Sequence, residues 1–296
     1  MKRLLLTGGS GYLGSHLIQA AQDWEVYATY FSRPLAPARG AAIPLDLRDA
    51  NAVRALLRDA HPAAVIHTAC SNRDPDNVSA IVPAARHLAS AAREFGLRLV
   101  HVSTDLVFDG ERAPYADDAP PAPVSDYGRA KAEAERIVAE IDPAAVVVRP
   151  SLIWSLDPID RQSGWLVDGV QHGERVTLFT DEYRCPVHVH DLCAALLELT
   201  SRPVISGPMN LGGPQPLNRW DFGMKLLAAL SLTPGSNVVR STAKESGLVR
   251  ARDLTMRSTR ARQLLATRLR SVDEGLDLQP VSAAPAHTRR PRYCEG

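Results

Sequence analysis

The run "VSDYGRAKAEAER" sets a tyrosine, Tyr127, four residues before a lysine, Lys131. On a helix, side chains at i and i+4 share one face. A free phenol has a pKa of about 10, too high for easy proton exchange near neutrality. A neighbouring ammonium stabilises the phenolate and lowers that value. Such a pair can serve as a general acid that protonates a carbonyl oxygen as hydride arrives. A further hydroxyl has to fix the carbonyl, and "HVSTDLVFDG" offers Thr104 at the end of a preceding strand. Taken alone, a tyrosine and a lysine at this spacing are common and read as a solvated surface pair. Their meaning depends on what lies upstream.

Upstream, directly after the apolar run "RLLL", stands "TGGSGYLGSHL", with Gly8, Gly11 and Gly14 in a GxxGxxG array. Gly8 permits a tight turn, Gly11 lets a pyrophosphate approach the backbone, and Gly14 lets the following helix pack closely. Tyr12 and Leu13 open that helix, whose free N–H groups and positive dipole end suit phosphates. Glycines alone are a weak signal; a strand before them and a helix after them are the context this motif needs. The second strand, "EVYATYFSRP", carries no acid at its end to take a ribose 2′-hydroxyl. It carries Ser32 and Arg33 instead. Arg33 suits a 2′-phosphate and favours NADPH over NADH, a solvated surface arginine being the competing reading. "PLDLRD" sets Asp46 and Leu47 where they would flank an adenine ring. "HTAC" puts Thr68, Ala69 and Cys70 along a cofactor channel, with packing the favoured role for Cys70.

These residues need a scaffold, and the 296-residue chain supplies its rhythm. Strand-like runs alternate with amphipathic helical ones from "RLLLTG" through "AAVVVRP". That alternation predicts a doubly wound parallel α/β sheet of Rossmann type. The expected dinucleotide-binding domain covers residues 1–152 and takes back segments at about 188–212. A smaller, discontinuous substrate-binding domain is expected from about 153–187 and 213–279, followed by a loose tail at 280–296. The composition, 45% hydrophobic and 23% charged with a net charge of +1, gives no field for nucleic acid or an anionic membrane. No apolar run is long enough to span a bilayer. The apolar start ends at Leu6, too soon for a signal peptide, so a cytoplasmic protein is expected. The four cysteines form no CxxC pair and read as reduced thiols. His188 and His190 sit two apart without a third suitably spaced ligand, and no metal is expected.

"TGGSGYLG", "STDLVFDG", "YGRAKAEAE" and "VVVRPSLIW" together resemble the extended short-chain dehydrogenase/reductase superfamily and, within it, the dTDP-4-dehydrorhamnose reductase family. "DEYRCPVHVHDLCAALLEL" and "GPMNLGGPQPLNRWDFG" extend the resemblance to roughly residues 1–275. It implies NAD(P)H-dependent reduction of a 4-keto sugar carried on a nucleoside diphosphate. Tyr127 would be the acid, Lys131 its tuner and a ribose ligand, and Thr104 the carbonyl anchor. Arg149 and Pro150 would lie near the nicotinamide. Asp105, Val107, Phe108, Trp154 and Arg184 would line the sugar-nucleotide site, Arg184 against the diphosphate. Two departures stand out. Ile81 occupies a helix position where the family commonly has Asn. "RPSLIW" replaces "RTSWVY", so that Leu152 takes the place of a Trp and Trp154 falls two residues later.

Two other functions compete. An epimerase or dehydratase of the same superfamily is one, although a dehydratase would carry an acid pair where only Asp105 follows Thr104. The other is a cofactor-binding regulatory subunit that works through a protein partner, as the β-subunit of methionine adenosyltransferase is thought to do. Retention of Thr104, Tyr127 and Lys131 favours an enzyme. The oligomeric state is left open, a homodimer included.

Overall fold

In the first strand, β1 (Lys2–Thr7), Leu4, Leu5 and Leu6 are all fully buried. A strand can bury successive side chains only when both faces of its sheet are covered. The computed structural model describes residues 1–35, 40–70, 75–248 and 250–278, and its main sheet is covered in this way. In chain order, β1 leads into α1 (Tyr12–Ala20), β2 (Trp24–Tyr30), β3 (Gly40–Pro44), α2 (Ala50–Ala60), β4 (Ala64–His67) and α3 (Pro75–Phe95). Next come β5 (Arg98–Val102), a 3₁₀ turn (Asp105–Val107), α4 (Asp126–Ile141) and β6 (Val146–Pro150).

The remaining elements are β7 (Ile153–Trp154), α5 (Arg161–Gln171), β8 (Val176–Phe179), β9 (Tyr183–Arg184), β10 (Val187–His188), α6 (Val189–Thr200) and β11 (Gly207–Leu211). After these follow β12 (Leu217–Asn218), α7 (Arg219–Ala229), β13 (Val238–Ser241), α8 (Thr259–Leu264) and α9 (Val272–Asp277).

Seven strands form one parallel sheet in the order β3-β2-β1-β4-β5-β6-β11. On one face, Leu4, Leu6, Ile66, Val100 and Val148 pack with Leu17 of α1 and Leu192, Leu196 and Leu199 of α6. On the other, Leu5, Val65, Leu99 and Val147 pack with Val53 of α2, Leu88 of α3 and Val138 of α4. Each fully buried leucine contributes about 2 kcal/mol of transfer free energy. The chain changes face between α1 and α2, and strand order reverses between β1 and β4. In such sheets the crevice above that reversal is where ligands bind.

Outside this sheet, β8 pairs with β13, and their Val176, Leu178 and Val238 cluster with Leu166 of α5 and Leu227 of α7. "GPMNL" joins the main sheet as β11, as its sequence predicts, and α6 docks on the same layer. Three boundaries differ from expectation. The helix expected at "VPAARHLASAAREFG" begins at Pro75, because Ile81, Ala84, Ala85 and Leu88 continue one buried stripe past Pro83. The stretch "SLIWSLDPIDRQSGW" contains the start of α5, whose N-cap Asp160 accepts from the N–H groups of Gln162 and Ser163. The helix expected at "STRARQLLA" is only α8. The tail expected at 280–296 lies outside the described residues. Among the described residues no helix is long and apolar enough to cross a membrane.

Candidate active site

The glycine loop is shaped by contacts a side chain would break. Gly8 has φ +75°, and a Cβ there would stand 2.8 Å from the Ala69 backbone at the end of β4. A Cβ on Gly14 would lie 2.2 Å from the Gly8 carbonyl oxygen, so only glycine lets α1 sit on the loop. Gly11 is freer, its Cβ position meeting only the Gly8 oxygen at 3.1 Å. Gly11 caps α1 without any side-chain hydrogen bond, and no acid stands in the first turn. No side chain or first-turn acid competes for the N–H groups at the start of α1, while the Tyr12 and Leu13 side chains pack towards the core.

Thr68 donates from Oγ1 to the Thr7 carbonyl over 2.7 Å, and Cys70 adopts φ +70° at the turn beyond. Burial pushes the Cys70 thiol up, with Lys131 and Asp46 within charge range. Ser32 and Arg33 are exposed, and Arg33 donates to the Ser10 carbonyl over 3.2 Å, which sets its guanidinium against the glycine loop. Asp46 is engaged by Arg48 through its amide and guanidinium, the closest contact 2.7 Å, and that hydrogen-bonded cation holds the carboxyl below its usual range. Arg48 also stacks over the exposed ring of Phe31 at 5.4 Å. Leu47 differs from expectation: it is buried beneath α3, and its carbonyl oxygen lies 3.0 Å from the His87 ring. A cavity of about 730 Å³ opens between α1, the start of β2 and Arg33.

The expected acid and its neighbours meet at the carboxyl end of β5. Thr104 caps the 3₁₀ turn, its Oγ1 accepting from the Leu106 N–H over 3.2 Å. Ser125 caps α4, accepting from Gly128 N–H. Gly128 lets that helix close on the turn, since a Cβ there would stand 2.3 Å from the Leu106 oxygen. Tyr127 on the first turn of that helix therefore stands near Thr104, whose hydroxyl acts to favour its phenolate. Lys131 is 3% exposed and donates to the Val102 carbonyl oxygen over 3.0 Å. The direction of the phenol's shift corrects the expectation. Burial, and after it the Asp105 carboxylate, pushes Tyr127 up, with the Thr104 hydroxyl opposing, while burial lowers Lys131. The ammonium is directed at a backbone carbonyl, so within the protein alone burial of the phenol prevails.

The residues assigned to a sugar-nucleotide site are largely internal. Phe108 is fully buried, stacked on Tyr115 at 4.1 Å, and Val107 packs beside it. Trp154 is 1% exposed, edge-on to His188 and Phe222. These three side chains present no surface to a ligand, because the loops that carry them fold under the C-terminal segments. Asp105 is buried, accepts from Ser151 Oγ over 2.9 Å and faces Arg184 Nε at 3.6 Å. Arg184 is itself buried and also pairs with Glu182 at 3.1 Å. Pro150 ends β6 in the core, and Arg149 forms a buried ion pair with Glu135 at 2.6 Å while donating to the Asp117 and Ala119 carbonyls. Arg149 thus braces the loop before α4 rather than facing the cleft.

Sequence reasoning passed over Ser151 and Gly128. Ser151 had a signal: like Thr104, it is a hydroxyl just past the carboxyl end of a parallel strand. Beneath Lys131 lie two buried histidines, His67 on β4 and His101 on β5, with ring centroids 5.1 Å apart. His67 Nδ1 bonds Thr7 Oγ1 at 2.6 Å.

The RmlD substrate binding domain model matches residues 1–281. The chain belongs to that family. It is 31% identical over 253 residues to the Xenopus laevis methionine adenosyltransferase 2 subunit beta, covering 80% of this chain and 74% of the relative. It is 29% identical over 245 residues to a Streptomyces antibioticus protein named as a probable dTDP-4,6-dihydroxy-2-methyloxan-3-one 4-ketoreductase, covering 79% of each. A dTDP-4-dehydrorhamnose reductase from Bacillus anthracis, crystallised with NADP, shares the fold: TM-score 0.77 at 22% identity, over 94% of this chain and 98% of that one.

Proposed function

We propose that this protein is an NAD(P)H-dependent reductase of a nucleotide-linked 4-keto sugar, like dTDP-4-dehydrorhamnose, with NADPH the preferred cofactor. The reading is supported chiefly by the meeting of Thr104, Tyr127 and Lys131 at the end of β5, near the strand reversal beside the glycine loop. It is supported also by family membership and by the Streptomyces relative's name. The uncapped start of α1 would hold the pyrophosphate, and Arg33 beside Ser10 would take the 2′-phosphate. Held by those residues, the cofactor would supply the hydride for the sugar carbonyl carbon. Tyr127 gives its hydroxyl proton to the carbonyl oxygen as negative charge develops on it. Its burial keeps that proton in place until then. Thr104 Oγ1 orients the same oxygen, and Lys131, steadied by Val102, holds a positive charge below the phenol. The segments 153–187 and 213–278 would form the sugar-nucleotide side of the cleft.

One observation favours a second reading. The Xenopus laevis relative at 31% identity bears the name of a methionine adenosyltransferase subunit rather than of a reductase. The test is NADPH oxidation by the purified protein with dTDP-4-dehydrorhamnose. Turnover that needs the keto sugar supports the reductase. Tight NADPH binding with no turnover of dTDP- or UDP-linked 4-keto sugars overturns it in favour of a cofactor-binding subunit.

A further inference from the structure

Leu47 is buried, so its side chain cannot lie against the adenine of a bound dinucleotide, and the Asp46 carboxylate is already engaged by Arg48. A planar pair stands at that edge of the crevice instead. Phe31 follows β2 and Arg48 follows β3, and these strands are neighbours in the sheet, with Tyr30 opposite Pro44. Phe31 is 67% exposed, and the Arg48 guanidinium carbon lies over its ring at 5.4 Å. Asp46 grips the same guanidinium by its edge, accepting from Nε over 2.9 Å and from Nη2 over 2.7 Å. The Arg48 backbone N–H donates to that carboxylate as well, over 2.9 Å, so the side chain is fixed at its start and at its end. Even so, 45% of the Arg48 side chain meets solvent. The pair borders the glycine loop. The Gly9 N–H donates over 2.9 Å to the carbonyl of Thr29, two residues before Phe31, and Arg33, two residues after it, donates to the Ser10 carbonyl.

A single exposed apolar residue is ordinary on a protein surface. This one backs a braced, planar cation beside a loop suited to a dinucleotide, and a guanidinium plane stacks well on an aromatic ring. We propose that Arg48 seats the purine ring of the cofactor, which stacks on the guanidinium plane, and that Phe31 and Asp46 are positioning residues that hold the plane flat for it. This rests on the NAD(P)H part of the reductase reading. The contact is with the base, so it serves NADPH and NADH alike, whereas Arg33 acts on the 2′-phosphate that only NADPH carries.

The test is the affinity of NADPH, NADH and ADP-ribose for wild type, Arg48→Lys, Phe31→Leu and the double variant, by isothermal titration calorimetry. Arg48→Lys keeps the charge and removes the plane. Phe31→Leu keeps an apolar side chain and removes the ring. Both positions are exposed, so the fold should stand. Arg48→Lys is expected to weaken all three ligands by one common factor, about tenfold, the scale of one lost stacking contact on a base. The ratio of the NADPH and NADH dissociation constants should stay where it was. Phe31→Leu should act in the same direction alone and add little to Arg48→Lys, because it works through the guanidinium. Equal ADP-ribose affinity in wild type and Arg48→Lys overturns the proposal. A loss confined to NADPH also overturns it, placing Arg48 on the 2′-phosphate. Fully additive losses in the double variant overturn the role given to Phe31. ADP-ribose carries no hydride, so the two readings fail separately. Keto-sugar turnover with an unmoved ADP-ribose affinity sinks this inference alone. A weakened ADP-ribose affinity in a protein without keto-sugar turnover sinks the reductase reading alone.

Discussion

Gly14 and Gly8 touch so closely that a β-carbon on the first would sit 2.2 Å from the carbonyl oxygen of the second. Gly11, three residues away in the same loop, has its closest such contact at 3.1 Å. Two glycines of one motif thus serve different ends. One lets α1 pack, and the other keeps the turn into that helix clear of a side chain.

Gly14→Ala and Gly11→Ala should therefore separate. Gly14→Ala should cost about 1–3 kcal/mol of stability or more, as overpacking does. Gly11→Ala should leave the melting temperature nearly unchanged while weakening NADPH about tenfold or more, about 1.4 kcal/mol. Thermal melts and NADPH fluorescence titration read both. Equal stability losses would show that Gly11 is also a packing glycine.

Arg33 is exposed and anchored on the Ser10 carbonyl. Arg33→Ala should weaken NADPH by about tenfold, the scale of one lost charge-assisted hydrogen bond, and leave NADH nearly unchanged. The ratio of the two dissociation constants measures this. An unchanged ratio would return Arg33 to the surface.

Much of this was legible from the chain. Leu4, Leu5 and Leu6 are consecutive and apolar, as in a strand covered on both faces, and the alternation of such runs with amphipathic helical stretches made the parallel sheet readable. Gly8, Gly11 and Gly14 followed that strand, and Tyr127 and Lys131 opened a capped helix. Pairings across distance were not legible. Arg149 reaches Glu135 across 14 residues and Arg184 reaches Asp105 across 79, and neither spacing follows from local periodicity. Phe108 and Trp154 look the same in sequence whether they stack on a sugar or on a neighbouring ring. Burial by the C-terminal segments decides, and a one-dimensional pattern does not carry it. The direction of Tyr127's shift failed for the same reason. Lys131 is four residues away in sequence, but its ammonium is aimed at Val102.

His67 gives a dependence on acidity. Burial, with the Lys131 charge, holds its imidazole down to about 3, against an ordinary value of 6.5. The unfolded chain therefore binds this proton first. The stability is full above about 6.5, erodes as pH falls and is exhausted near the folded value, at about 1.4 kcal/mol per pH unit. His101, also pushed well down by burial, acts in the same direction. Urea denaturation at pH 7 and pH 5 should show His67→Gln losing about 2 kcal/mol less than wild type over that interval. Identical losses would mean that His67 is protonated in the folded protein.

The most direct measurement is steady-state NADPH oxidation with dTDP-4-dehydrorhamnose by wild type and by Tyr127→Phe, with NADPH affinity measured in parallel. Removing the phenolic hydroxyl should lower kcat by about 10²–10⁴-fold, the usual contribution of a positioned general acid, with cofactor binding largely intact. A Tyr127→Phe protein that turns over as fast as wild type would contradict the assignment of Tyr127 as the proton donor.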